Sequence, residues 1–521
     1  MPARPCSARP GSSAPSRPCG GSDVVDAVVV GSGPNGLSAA VTLARAGLSV
    51  AVYERNETLG GGARTAELTL PGFHHDIGSA VHPMALASGF FRRFQLDRRI
   101  DLRLPEISYA HPLDDGRSGI AYRDLERTAE ALGRDGAAWR ALMGPLAERA
   151  DRVAGFTNDA LLKIPTDPSV LLRFGLRVLE QGSPFWNARF REEVAPAMFA
   201  GVAAHAIRPM PSLSTAAAAL ALGSYAHARG WPVPVGGSQA IVDAMADDLR
   251  AHGGTIETGV EITSLSQLPS ARAVLLDLTP RALLALAGDR LPAPYASALR
   301  LFRYGNGVAK VDFALDGPVP WTDPELAGAG TLHVGGTRAE IAAAERDVVR
   351  GRHSENPYVL VAQPSVLDPT RAPEGKHVLW AYTHVPRDSP AHQREAITAQ
   401  IERFAPGFRD RVLAASSMTA RDMQAWNPNY IGGDIAAGAA SVAQLLSRPV
   451  PSSDPWRTPA KGLYLCSSST PPGPGVHGMA GWHAARSALR HEFGIRRTPD
   501  LSPETGRAPG PDQAGAPDLA R

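Results

Sequence analysis

Hydrophobic positions along the chain follow two alternating rhythms. The run VVDAVVV at 24–30 is β-branched and nearly all apolar, the pattern of a strand buried on both faces. GSGPNG follows at 31–36, then LSAAVTLARAG, whose spacing predicts a helix, and then a second apolar run, SVAVYE, ending at Glu54. A similar succession of apolar run, glycine turn and helix recurs near 231–280 and 461–491. The spacing predicts one nucleotide-binding domain assembled from three separated pieces, with the intervening segments building a second domain over the ligand. The Ala- and Leu-rich stretch around 190–228 reads as helical, interrupted at Pro209 and Pro211.

The boundaries we expect are a nucleotide-binding domain built from 23–105, 231–280 and 426–493, and a substrate domain built from 106–230 and 281–425. Residues 1–22 and 494–521, rich in Pro, Gly and small polar residues, are expected to be disordered tails. The first tail lacks the apolar core of a secretory signal, and its prolines disfavour the amphipathic helix of a mitochondrial address. We therefore expect a cytoplasmic protein.

At 521 residues, with 53 Lys+Arg against 51 Asp+Glu, the chain is too long for one small module and too evenly charged to attract nucleic acid. No run supplies the roughly 18 apolar residues of a transmembrane helix. Of three cysteines, Cys6 and Cys19 lie in the tail and only Cys466 lies in a globular segment. A disulfide framework and a dithiol redox pair are both excluded. His74, His75 and His82 lack matching ligand partners, so no metal site is expected.

The first glycine turn carries the clearest chemistry. Gly31 permits a tight turn, Gly33 lets backbone approach a pyrophosphate, and Gly36 lets the helix sit close on the strand. The helix start, at Pro34 and Asn35, offers unpaired N–H groups and a positive dipole end to phosphate. Glu54, at the end of the second strand, is placed to bind a ribose and disfavours a 2′-phosphate. The turn alone does not separate FAD from NAD. A second glycine cluster at Gly60, Gly61 and Gly62, followed by Ala63 and Arg64, favours the more extended FAD, with Arg64 able to pair with phosphate. So does the strand, turn and helix of GLYLCSSSTPPGPGVHGMAGWHAA.

These motifs, with GGGARTAELTLPGFHHDIGSAVHP, GWPVPVGGSQAI at 230–241 and WNPNYIGGDI at 426–435, resemble the phytoene (carotenoid) desaturase family of FAD-dependent oxidoreductases. The similarity is greatest to its branch of pyridine nucleotide-disulfide oxidoreductase domain-containing protein 2-like proteins and spans about residues 24–492. It implies an α/β fold: a doubly wound, Rossmann-type FAD domain of the amine oxidase kind with an inserted mixed α+β substrate domain. It implies AMP and pyrophosphate contacts at Gly31, Gly33, Pro34, Asn35, Gly36, Glu54 and Arg55, and further FAD contacts at Gly61, Gly62, Ala63, Arg64 and Gly78. It places Ile262 on a strand whose backbone meets the adenine, and Gly475, Val476, His477 and Gly478 against the flavin pyrimidine edge. Gly236 and Gly237 read equally as a helix-start turn or a cofactor contact, and Trp426 to Asp434 as a capped turn or a substrate contact.

The chain departs from the family at LCSSSTPPG, where relatives carry a glycine-rich run, and between Leu265 and Ala273, where it is shortened. The activity implied is hydride removal from a lipophilic, isoprenoid or lipid-like substrate to flavin N5, with quinone, oxygen or nicotinamide as acceptor and peripheral membrane contact. An amine oxidase-like activity and a lipid-binding role like that of Rab GDP-dissociation inhibitors are the alternatives. No catalytic acid or base can be named from the residues.

Overall fold

The computed structural model describes residues 24–163 and 166–503. The expected tail at 1–22 lies outside them. Val24–Val30 forms the middle of a five-stranded sheet ordered Leu463–Leu465, Ser270–Leu276, Val24–Val30, Val50–Tyr53, Thr255–Glu257, with every pairing parallel. Both faces of the central strand are covered, as its unbroken apolar run requires. Ala27 and Val29 point toward the helices Pro34–Ala44, Gln239–Ala251 and Met479–Glu492. Val28 and Val30 point toward Pro280–Ala287 and Ala293–Arg300. This is the doubly wound arrangement, and strands more than 200 residues apart in sequence lie side by side in it.

The second unit is a seven-stranded sheet ordered Val412–Met418, Gly307–Leu315, His377–Val385, Val359–Ala362, Thr331–Val334, Ile107–Pro112, Ser118–Tyr122. It is antiparallel except where Thr331–Val334 meets Ile107–Pro112. One face packs on the helix Arg394–Phe404. The other looks toward a helical cap that includes Pro168–Gln181, Val194–Ala203 and Leu213–Ala228.

Three expectations are corrected. The helices between 280 and 300 bury their apolar faces on the parallel sheet, so the second unit resumes near Gly307 and not at 281. The apolar run at 231–235 does not enter that sheet; Val233–Pro234 pairs with Leu102–Arg103, because proline cannot donate to a central ladder. The stretch following the last helix is anchored as far as Leu501, which is 1% exposed and whose carbonyl accepts from Arg99 Nη2 at 3.0 Å.

Candidate functional site

The turn at 31–36 is held by backbone contacts that leave no room for side chains. A Cβ at Gly36 would lie 2.0 Å from the Gly31 carbonyl oxygen, which accounts for the third glycine. Pro34 opens the helix Pro34–Ala44 with Gly33 as its cap. Gly33 lines the cavity, and a Cβ there would also lie 2.6 Å from Oδ2 of Asp277, just past the neighbouring strand, so the carboxyl crowds this position as well. Asp277 Oδ2 accepts the Gly36 N–H at 3.0 Å and thus occupies the positive end of the helix. Burial pushes the Asp277 carboxyl up to about 7, and the Gly36 N–H only partly offsets this.

Glu54 sits at the end of its strand, as expected. Ser32 N and Oγ donate to its Oε2, and Asn56 N and Nδ2 donate to Oε1, all within 3.0 Å. Four donors fill the acceptor sites of the carboxylate, so a ribose hydroxyl reaching Glu54 must displace one of them. Arg55 and Ile262 line the same cavity. Ile262, however, lies beyond the Thr255–Glu257 strand in irregular chain, which corrects its expected place on a strand.

Gly61, Gly62 and Gly78 also form wall. A Cβ at Gly62 would lie 2.1 Å from Tyr430 Oη, so Tyr430 closes over this turn. Ala63 and Arg64 lie outside the wall. Arg64 is buried, its guanidinium 4.3 Å from the Trp426 ring centroid, with Nε donating to the Gly61 carbonyl and Nη1 to Thr58. It stiffens the second glycine turn from behind. Asn427, Asn429 and Tyr430 line the cavity, while Asp434 ties its loop by accepting from Gly305, Ala436 and Gly438. Gly236 and Gly237 are absent from the wall and open the Gln239–Ala251 helix; a Cβ at Gly237 would strike Thr65.

In the closing segment, Gly475 and Val476 line the cavity but His477 and Gly478 do not. The His477 Nδ1 accepts the Met479 N–H at 3.0 Å and its Nε2 donates to the Gly473 carbonyl at 3.1 Å. Burial pulls this imidazole down to about 4. Both nitrogens are committed to backbone, so His477 shapes the start of the helix. The Gly478 carbonyl accepts from Ser38 Oγ at 2.6 Å and joins the closing helix to the first. Cys466 is buried, as the sequence suggests, but lies just past the strand Leu463–Leu465 and not within it.

The cavity has a volume of about 990 Å³ and runs from the phosphate turn to the space between the seven-stranded sheet and the helical cap. Its far part is lined by Phe174, Val178, Ala217, Leu222, Trp231 and Leu360 among others, an apolar chamber. One cation stands in its floor. Lys310 is 2% exposed and pairs with Asp312, while its ammonium lies 5.7 Å from the Trp380 ring centroid. Burial lowers the Lys310 pKa, with Asp312 opposing, and burial raises Asp312 to about 6. Sequence reasoning missed Asp277 and Lys310. The second was within reach, since Lys310 and Asp312 interrupt the apolar strand GVAKVDFAL two positions apart and so face the same side.

Among the described residues no group of three or more His, Cys, Asp or Glu could hold a metal, and no helix is long and apolar enough to cross a membrane. Residues 35–489 match the family described as flavin containing amine oxidoreductase. The chain belongs to this family. It is 27% identical to the pyridine nucleotide-disulfide oxidoreductase domain-containing protein 2 of Rattus norvegicus, over 89% of this chain and 93% of the relative. It is 23% identical to the phytoene desaturase (neurosporene-forming) of Rhodobacter capsulatus, over 87% and 92%. Among solved structures, a putrescine oxidase triple mutant superposes with a TM-score of 0.58 at 16% identity, covering 89% of this chain and 99% of that one, and the cyclohexylamine oxidase of Brevibacterium oxydans with 0.56 at 17%, covering 90% and 100%. These likenesses bear on fold.

The protein is an FAD-dependent oxidoreductase. Its residues fit the cofactor: Gly31, Gly33, Gly61 and Gly62 present side-chain-free backbone to the cavity, and Asn35, on its wall, keeps an unpartnered buried Oδ1. Gly31 to Asn35, Glu54, Arg55, Gly61, Gly62, Gly78, Gly475 and Val476 all line one continuous space.

Proposed function

We propose that this flavin oxidoreductase dehydrogenates a lipophilic, isoprenoid- or lipid-like substrate, whose hydride passes to flavin N5. The observation that carries the reading is the continuity of the dinucleotide cradle with a chamber walled by aliphatic and aromatic side chains. Similarity to a phytoene desaturase supports it. When bound, FAD supplies a two-electron acceptor. The chain's own residues position the substrate over the sheet, exclude water and manage the proton. Lys310 Nζ is the group placed to hold or pass that proton, since its lowered pKa eases loss of the charge and Asp312 restores it.

We infer likewise that the protein contacts a lipid surface. Leu172, Leu176 and Leu179 project from the Pro168–Gln181 helix with more than half their surface exposed, and Phe185 is 74% exposed. Leu161 and Leu171 are both exposed and part of the cavity wall, so the apolar patch leads into the chamber.

The test is anaerobic bleaching of the FAD-loaded protein by isoprenoid, acyl-lipid and amine panels, followed by reoxidation with oxygen, quinone or nicotinamide in turn. Bleaching by a lipid supports the reading and the reoxidant identifies the acceptor. Bleaching by compact amines alone overturns it.

A further inference from the structure

The register of the seven-stranded sheet orders the side chains on the face turned toward the cavity, where Lys310, Tyr382, Leu360, Trp380, Ala362 and Thr331 form the floor and His333 and Asp312 lie beneath it. Lys310, Tyr382, Leu360 and His333 stand opposite one another on four neighbouring strands, and Asp312, Trp380, Ala362 and Thr331 form the adjoining row. At about 4.8 Å per strand, three steps put the His333 end roughly 14 Å from the Lys310 end. Between the two ends the floor is aromatic and aliphatic apart from the Tyr382 hydroxyl and the Trp380 indole N–H.

The far end is polar. His205, on the cavity wall, approaches His333 Nε2 with its own Nε2 at 2.9 Å and lies edge-on to Trp231, with ring centroids 6.0 Å apart. Thr331 also lines the cavity, is 2% exposed, and its hydroxyl has no partner. His333 Nδ1 is likewise buried without a partner. An orphaned N–H is rarer in protein interiors than an orphaned acceptor, so His333 keeps its proton on Nε2 and donates it to His205. The His205 proton then resides on Nδ1, the nitrogen left over for a ligand. A donor imidazole, His205 on the turn Ala204–Ala206, and a free hydroxyl, Thr331 on the sheet, thus stand at the end of a lipophilic chamber; His333, two residues from Thr331 on the same face of its strand, holds the imidazole in place.

We propose that this end of the cavity is a polar subsite for an uncharged oxygen atom of the substrate, which makes the substrate an oxygenated lipid, such as a long-chain or isoprenoid alcohol, aldehyde, ketone or ester, and not a plain hydrocarbon. The proposal rests on the lipophilic-substrate reading above. A carboxylate does not suit the subsite, because burial holds His205 near 3 and His333 well below the ordinary imidazole range, so neither brings a compensating charge.

The experiment uses the full FAD-loaded chain and two probes, all-trans-retinol and its deoxy hydrocarbon, with binding read by retinoid fluorescence. The unsubstituted protein is expected to bind the alcohol about tenfold more tightly than the hydrocarbon, as one or two buried hydrogen bonds imply. Thr331→Val and His205→Phe should each erase most of that preference and leave hydrocarbon affinity unchanged. Thr331→Val removes an unsatisfied hydroxyl at constant shape, so it should fold normally and carries the test alone if His205→Phe does not. Equal affinity for the two probes, or a preference that survives Thr331→Val with its flavin spectrum intact, overturns the subsite while leaving the lipophilic reading standing. Failure of both probes to bind the unsubstituted protein removes that reading and the subsite with it.

Discussion

Asp277 offers the sharpest quantitative test of the cofactor cradle. Its carboxyl moves from the ordinary 3.8 up to about 7 because it is buried at the helix start with a single N–H to answer it. A shift of about 3 units corresponds to about 4 kcal/mol between the two protonation states. The native state binds this proton more tightly than the unfolded chain does. Its stabilising contribution is therefore complete below about pH 4, declines as pH rises, and is lost above about pH 7. Asp277→Asn keeps an acceptor for the Gly36 N–H and removes the titration. Parent and variant should diverge by roughly 2–3 kcal/mol between pH 5 and pH 8, the variant gaining with pH. For a chain of this length the unfolding entropy is on the order of 1 kcal/mol per degree, so the Tm gap should widen by about 2–3 °C. Scanning calorimetry of the FAD-free protein at both pH values measures it. A gap that stays constant, or that closes toward pH 8, refutes the reasoning. An anion brought to the same helix end raises the carboxyl further. FAD binding near pH 8 should therefore take up a proton in the parent and not in the variant, which calorimetric titration in two buffers of different ionisation enthalpy detects.

Other substitutions probe separate parts of the site. Gly36→Ala forces a Cβ onto the Gly31 carbonyl and should yield protein with little FAD and stability lower by several kcal/mol, read from flavin content and Tm. Lys310→Met strands the Asp312 carboxylate and should destabilise by about 3–5 kcal/mol; the double variant Lys310→Met/Asp312→Asn should recover much of that and retain FAD while turnover stays low. Glutamates at Leu172 and Leu176 should abolish flotation with anionic vesicles without changing the flavin spectrum. Truncation after Glu492 removes buried Leu501 and should cost about 2 kcal/mol, seen as a lower Tm; an unchanged Tm would show that the anchor is unimportant.

What was legible in the sequence is what is local. Strand, turn, helix and Glu54 lie within about thirty consecutive residues, and their periodicities and glycine spacing report a single compact unit. The closing strand and helix were legible for the same reason. The direction in which His477 points was not, because it depends on the Gly473 carbonyl and the Met479 N–H. Arg64 read as a phosphate partner because its sequence neighbours are glycines; its place over Trp426, distant in sequence, was not legible, and its Nη2 is buried without a partner. Asp277 and the His205–His333 pair escaped altogether. Each acquires meaning only from a partner brought in by tertiary folding, Gly36 for the first and, for the second, the meeting of the turn Ala204–Ala206 with the strand Thr331–Val334.

The crossing of the first and last helices sets an order of events during biosynthesis. A Cβ at Gly481 would lie 1.7 Å from the Asn35 carbonyl oxygen, so the last helix sits directly on the turn that opens the first. The strand Val24–Val30, made early, also waits for Ser270–Leu276 before it has neighbours on both sides. A ribosome that has finished the N-terminal turn has therefore not yet made the wall that completes it, and the nascent chain has no finished pocket in which to retain a nucleotide. Completion of the FAD cradle therefore waits for synthesis of the last helix, and the long sequence separation of these contacts makes the docking of the first and last helices a slow step.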